Sequence, residues 1–308
     1  MRASMDRRSF LKIAGVSLAS IAGLGLVGCG GGSAASSEGG EALSGQIVCS
    51  GATSFQKLVE AAANQFMDKN GDVTITISGG GSGQGLSDIK DGKAQIGRSD
   101  VFAEEKLDAA DVEKLVDNQV AVVGMGPVVN SKVDVDNLTT EQLKGIFTGK
   151  IKDWSEVGGT AGPIQVINRK AGSGTRATFE SAVLGGEKAP DDFKGVAEED
   201  SSGTVVEKIQ QTDGAISYLA FSYYDDSKFK ALSVDDVKPT QENVEKGDFK
   251  IWAYEHMYIS KDADAATKAF IDYMLSDDVQ GKLVKDEGFI PVSGMKVQKD
   301  AKGTISNK

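Results

Sequence analysis

The feature that most narrows the fold is a recurring unit: a short β-branched run, a turn of glycine with serine or threonine, then apolar residues at helical spacing. Ile47–Ser50 reads as a strand, and Gly51-Ala52-Thr53-Ser54 follows it. Phe55, Leu58, Val59, Ala62 and Phe66 then share one helical face. Val73–Ile77 alternates as a strand does. It runs through Gly79-Gly80-Gly81-Ser82-Gly83-Gln84-Gly85 into a short helix with Leu86 and Ile89 inward. Gln95–Gly97 is a strand ending at Asp100, and Val120–Gly124 an apolar central strand.

The second half repeats the pattern. Thr139 or Thr140 caps a helix through Phe147. Strand Ile164–Ile167 turns through Gly172-Ser173-Gly174-Thr175 into a helix from about Arg176 to Leu184. Val205, Val206 and Ile209 mark another helix, Ala215–Leu219 a strand, and Ile251–Ser260 a long strand-like run. Helices cover about Ala263–Leu275 and Asp277–Asp286. Strands alternating with helices predict an α/β fold with parallel sheets covered on both faces. Long strands near 120–130 and 250–260 suit a hinge between two lobes, with the last helices returning to the first.

The N-terminus reads as an address. Arg7-Arg8-Ser9-Phe10-Leu11-Lys12 precedes an apolar run, Ile13 to Val27, that is short for a transmembrane helix and suits a signal-peptide core. The pair of arginines resembles a twin-arginine export signal, and Leu26-Val27-Gly28-Cys29 resembles a bacterial lipobox, which makes Cys29 the expected lipidation site. A plain secretory signal with an incidental cysteine is the alternative. Residues 29–45 are mostly Gly, Ser, Ala and Glu, a flexible tether reaching about 20 Å. The expected product is extracytoplasmic and lipid-anchored to the cell membrane.

Loss of residues 1–28 leaves 30 basic against 44 acidic side chains, a formal charge of −14. That charge excludes nucleic acid and anionic membrane surfaces as partners. With Cys29 lipidated, Cys49 has no disulfide partner, and its place in a strand predicts a buried, inert thiol.

The chemistry lies in the three turns. A helix start carries N–H groups without intrahelical partners and the positive end of the dipole. Glycine lets an anion approach the backbone, and Ser or Thr adds a hydroxyl donor, so each turn is an anion site or an ordinary N-cap. Three of them, all after strands, favour a shared oxyanion pocket. Arg169, at a strand end four residues before Ser173, can fork onto two oxygens; its other reading is a surface salt bridge. Arg176 is a second contact or an exposed residue of the first helical turn. Asp100 is informative if it faces the anion. A carboxylate accepts the proton that phosphate still carries at neutral pH, but it repels sulfate, which carries none. A turn aspartate is the alternative.

With Gly-Ala-Thr-Ser at 51–54, Gly-Gly-Gly-Ser-Gly at 79–83, Ile-Gly-Arg-Ser-Asp at 96–100 and Arg-Lys-Ala-Gly-Ser-Gly-Thr-Arg at 169–176, the chain resembles the periplasmic phosphate-binding protein family. It is most similar to the lipoprotein form of bacteria with a single membrane. Segments 142–150, 214–218 and 254–258 fit too, and the match runs from about residue 46 to 298. The resemblance implies a two-lobe clamp that closes over one phosphate and delivers it to the permease of an ABC importer. The expected lobes are 46–126 with 256–308, and 127–255. Thr53, Ser54 and Ser82 would bind through hydroxyl and backbone N–H, and Asp100 would take the phosphate proton. Arg169, Ser173, Gly174 and Thr175 would bind from the other lobe. No catalytic residue, cofactor or metal is implied, and a monomer is expected. Two departures stand out. Some members carry an acidic residue two places after the arginine, where Ala171 stands here, and Arg98 occupies a place where small or amide residues are ordinary. Arg98 adds positive potential at the cleft or pairs with a surface acid.

Three rivals compete. Residues 172–177 fit the dinucleotide pattern G-x-G-x-x-A, but Asp191 and Asp192, the acids some twenty residues on, lie in Ala-Pro-Asp-Asp rather than at a strand end. A hydrolase lacks support because His256 is the only histidine and neither Ser82 nor Ser173 fits G-x-S-x-G; His256 reads as a packed or hinge residue. The same clamp binding sulfate, molybdate or a phosphonate differs only in its ligand.

Overall fold

The computed structural model describes residues 43–185, 190 and 193–308. The leader 1–28, Cys29, most of the 29–45 tether, and Asp191 and Asp192 lie outside them.

The first three strands are parallel and joined by helices: β1 (Gly45–Gly51), α1 (Gln56–Lys69), β2 (Val73–Gly80), α2 (Gly81–Lys90) and β3 (Ile96–Ser99). After a short helix α3 (Ala109–Val112), the chain enters the 15-residue strand β4 (Leu115–Val129). The expected strand at 120–124 is only its middle. The polar stretch Asp117-Asn118-Gln119 hides its beginning from a hydropathy reading.

The second half holds β5 (Asn137–Leu138), α4 (Thr140–Phe147), β6 (Gln165–Arg169), α5 (Gly174–Leu184), β7 (Ala197–Glu199) and α6 (Ser202–Gln211). It continues with β8 (Ala215–Ala220), β9 (Lys230–Ala231), β10 (Ser233–Val234) and α7 (Gln241–Lys246). Strand β11 (Trp252–Ser260) then leads to α8 (Ala265–Met274), a π-turn into α9 (Val284–Asp286), and the terminal hairpin β12 (Val297–Lys299) and β13 (Ile305–Asn307). Thr139 caps α4 as expected, its hydroxyl accepting from the Gln142 N–H.

The main sheet has the strand order β2-β1-β3-β11-β4-β8-β6-β7, with β9 also paired to β4. Its organisation follows from one strand changing partners. From Leu115 to Gly124, β4 pairs antiparallel with β11; from Met125 to Val129 it pairs with β8. The strand therefore belongs to both parts of a two-lobe α/β clamp, and β11 returns the chain beside it, antiparallel also to β3. Every residue of β4 from Val120 to Val129 is buried, as are Trp252–Ile259 of β11. Only strands covered on both faces look like this. Helix α8 packs back on α1 and β1.

The C-terminal hairpin was not legible in the sequence. Lys296 N–H donates to the Glu245 carbonyl, a Cβ on Gly247 would touch Val297 at 2.8 Å, and the Lys299 ammonium sits 4.2 Å from the centre of the Trp252 ring. The last residues thus pack against α7 and the start of β11.

Candidate functional site

The three glycine turns converge. Each follows the end of a parallel strand and opens a helix: β1 into α1, β2 into α2, β6 into α5. Neither α1 nor α2 has a side-chain cap, so the turns at 53–54 and 81–82 present backbone donors. Gly174 packs so closely on the first lobe that a Cβ there would lie 2.0 Å from Ser82 Oγ and 2.9 Å from the Asp100 Cβ. Across the same contact the Gly83 N–H donates to the Gly172 carbonyl at 3.0 Å. Glycine is required at 174, where any Cβ would strike the Ser82 and Asp100 side chains, whereas a Cβ on Gly172 would meet open space.

Asp100 lies at the centre. Ser54 Oγ donates to its Oδ1 at 2.5 Å, and Thr175 Oγ1, from the other lobe, donates to its Oδ2 at 2.9 Å. Its own N–H donates to Ser82 Oγ at 2.9 Å. A carboxylate has about four acceptor positions, so two hydroxyls leave it able to accept more. The protons of Ser54 and Thr175 are committed to Asp100. Ser82, which accepts, keeps its own proton to donate elsewhere. Ser173 does likewise: its Oγ accepts from the Arg176 N–H at 3.2 Å as the cap of α5.

Arg169 ends β6, 1% exposed. Its Nε donates to the Glu199 carbonyl and one terminal nitrogen to the Asp200 carbonyl, both at 3.2 Å. Backbone thus does the orienting that a carboxylate at position 171 would have done. The other terminal nitrogen donates to Ser202 Oγ at 3.3 Å. Burial disfavours the guanidinium's charge, while the Tyr218 hydroxyl and Asp100 favour it.

Ser202 joins the site without having been expected there. It is fully buried at the first turn of α6, its Oγ 3.3 Å from Thr53 Oγ1 and its N–H donating to that hydroxyl at 3.2 Å. The signal was present: Ser201-Ser202-Gly203-Thr204 is a fourth hydroxyl-glycine turn before the helix marked by Val205 and Ile209. It follows a three-residue strand too short to notice. Glu255 was also missed as a site neighbour; it is 0% exposed, 3.4 Å from Ser54 Oγ.

Arg98 and Arg176 resolve differently from expectation. Arg98 is wholly buried behind the turns. It donates to the Ala52 carbonyl at 2.7 Å and to the Ser78 carbonyl, with its guanidinium over the Phe55 ring. It neither lines the cleft nor pairs with a surface acid: it ties together the turns that carry Thr53 and Ser82. Arg176 turns to Glu180 at 2.7 Å, Glu198 at 3.1 Å and the Arg169 carbonyl at 2.7 Å, so its side chain braces the arginine strand.

Cys49 is fully buried, and burial pushes its thiol up to about 11, against the pull of Arg98. His256 is buried in the hinge strand, Nδ1 against Asp117 at 2.8 Å. Among the described residues no group of three His, Cys, Asp or Glu is placed to hold a metal ion. The dinucleotide reading fails on space, since the first turn of α5 is filled by Ser82 and Asp100 where a pyrophosphate would lie.

All eight residues expected at the site are brought within one buried cluster. It offers hydroxyls, uncapped helix starts, one guanidinium and one carboxylate, a set suited to a small tetrahedral anion that still bears a proton.

The chain is similar to known phosphate-binding proteins. The model of the PBP superfamily domain matches residues 36–278. The chain is 49% identical over 270 residues to the phosphate-binding protein PstS of Bacillus subtilis, covering 88% of each chain. A crystal structure from Clostridium perfringens, described as a phosphate ABC transporter substrate-binding protein with bound phosphate, is 33% identical; the match covers 80% of this chain and all of that one, with a TM-score of 0.74. An ABC-type phosphate transport receptor from Vibrio cholerae is 29% identical, covering 79% of this chain and 99% of its own, with a TM-score of 0.65. The chain therefore belongs to the PBP superfamily and, within it, to the PstS family of phosphate-binding proteins.

Proposed function

We propose that this protein captures inorganic phosphate outside the cytoplasm by closing its two lobes over it, and hands it to the permease of an ABC importer. The observation that carries the ligand assignment is Asp100. A carboxylate buried among hydroxyl donors and a guanidinium is unfavourable toward an anion without a proton, and becomes an acceptor toward one that has it. Thr53, Ser82, Ser173, Gly174, Arg169 and Ser202 supply the donors, with Ser54 and Thr175 contributing backbone N–H groups while their hydroxyls hold Asp100.

The lobes are 46–126 with 256–308, and 127–255, with β4 and β11 as the hinge. Each lobe supplies part of the donor set, so ligand and closure favour each other. The protein acts as a monomeric binding protein rather than an enzyme, tethered through lipid on Cys29. The PstS relative and the phosphate transport proteins of similar fold support the phosphate assignment over sulfate, molybdate or a phosphonate.

Calorimetric titration with phosphate tests it. Saturable one-to-one binding is expected, weakened at least roughly tenfold in Arg169→Ala by loss of a charge-assisted contact. An absence of phosphate binding in the wild-type protein would sink the assignment.

A further inference from the structure

Glu255 interrupts the apolar run Trp252–Ile259 at the middle of the hinge strand and has no exposed surface. Its Oε1 has no hydrogen-bond partner, and among the described residues no cation lies within ion-pair distance of it. Its Oε2 lies 3.4 Å from Ser54 Oγ, whose single proton goes to Asp100 at 2.5 Å. Two carboxyl groups thus share one serine, whose hydroxyl lies much closer to Asp100 than to Glu255. An ionised carboxylate in this position would be buried, unpaired and beside a second negative charge, a combination that proteins avoid by keeping the proton.

We propose that Glu255 is a specificity-determining residue of the anion site: it remains protonated at neutral pH and donates its hydrogen bond to Asp100. Asp100 thereby keeps an acceptor position for the proton of the bound oxyanion. The groups facing Glu255 agree. Burial, then the Asp100 charge and a hydrogen bond to Asp100, push its carboxyl well above the usual range; Ser54 and the charge of Arg98 on β3 pull the other way. Arg98 spends its terminal nitrogens on backbone carbonyls. On the Asp100 side stand Arg169 and Tyr223, the latter a phenol raised to about 12. His256, next along the strand, is engaged with Asp117.

The functional consequence is selectivity set from behind the site. With Glu255 donating, Asp100 is an acceptor and a protonated anion is preferred. Without that donor, Asp100 is less firmly held as an acceptor, and the preference over sulfate weakens. This inference rests on the phosphate reading for its selectivity consequence, but the protonation of Glu255 can be read without any ligand.

The test combines infrared difference spectra with titrations of Glu255→Gln and Glu255→Leu. At pH 7 the wild-type protein is expected to show the carbonyl stretch of a protonated carboxylic acid that vanishes in E255Q. E255Q keeps a donor of similar reach and should hold phosphate within about tenfold of wild type. E255L removes the donor and should lose roughly 10- to 100-fold in phosphate affinity at pH 7 and bind sulfate measurably. No acid band in the wild type, or tighter phosphate binding by E255Q as relief of repulsion would give, overturns the proposal. Should E255L fail to fold, the band and E255Q still decide it. Should the wild type bind no phosphate, the function assignment falls while the band still reports on Glu255.

Discussion

Thr175 and Asp100, 75 positions apart and on opposite lobes, are joined by a 2.9 Å hydrogen bond from the threonine hydroxyl to the carboxylate. The lobe that supplies the guanidinium thereby fixes the carboxylate of the other, so ligand selection and closure depend on one contact.

Thr175→Val keeps the shape and removes the donor. A hydrogen bond to a charged group contributes about 1.5–3 kcal/mol. Phosphate affinity should fall by roughly 10- to 100-fold, measured by calorimetry, with the melting temperature of the ligand-free protein changing little by comparison.

Gly174→Ala tests closure itself. A methyl group 2.0 Å from Ser82 Oγ must push the lobes apart. The backbone of Gly174 is not in the left-handed region, so the fold tolerates alanine. Small-angle scattering should show an open form that phosphate at millimolar concentration no longer compacts, while circular dichroism stays that of the wild type.

Glu255 leaves a mark on stability. Its folded-state proton affinity is raised, so the folded form binds more protons than the unfolded form above the ordinary carboxylate range. Its contribution is complete below about pH 4.3 and is lost as pH rises toward its folded value. Wild-type stability against urea, measured relative to Glu255→Gln, should therefore decrease with rising pH from about 5 to 7, by at most about 1.4 kcal/mol per pH unit for one proton.

Much of this arrangement was legible because it rests on local rules. Thr139 announced its helix through capping chemistry, and the turns at 53, 82 and 173 announced theirs through glycine and hydroxyl spacing. What stayed hidden depends on tertiary neighbours. Arg98 reads as a surface charge until the carbonyls of Ala52 and Ser78 are seen on either side of it. Arg169 loses a carboxylate partner at Ala171 and finds carbonyls of residues 199 and 200, thirty positions away, which no local pattern foretells. Ser202 follows a strand of three residues, and β12 and β13 are equally short, below the length at which periodicity carries information.

Cys49 offers a check on the packing beneath the site. With its thiol buried and pushed up to about 11, it should resist aromatic disulfide reagents at pH 8 in the folded protein and react promptly in denaturant. Fast labelling of the native protein would mean that β1 and β3 open more readily than their packing implies.

The most direct test of the central claim, that Asp100 chooses its anion by the proton the anion carries, is a paired calorimetric titration of wild type and Asp100→Asn with phosphate and with sulfate at neutral pH. The wild type should bind phosphate at least about 100-fold more tightly than sulfate, and the asparagine variant, able to donate, should lose most of that preference by gaining sulfate affinity. Equal affinities in the wild type, or a preference that survives the substitution intact, would contradict the account.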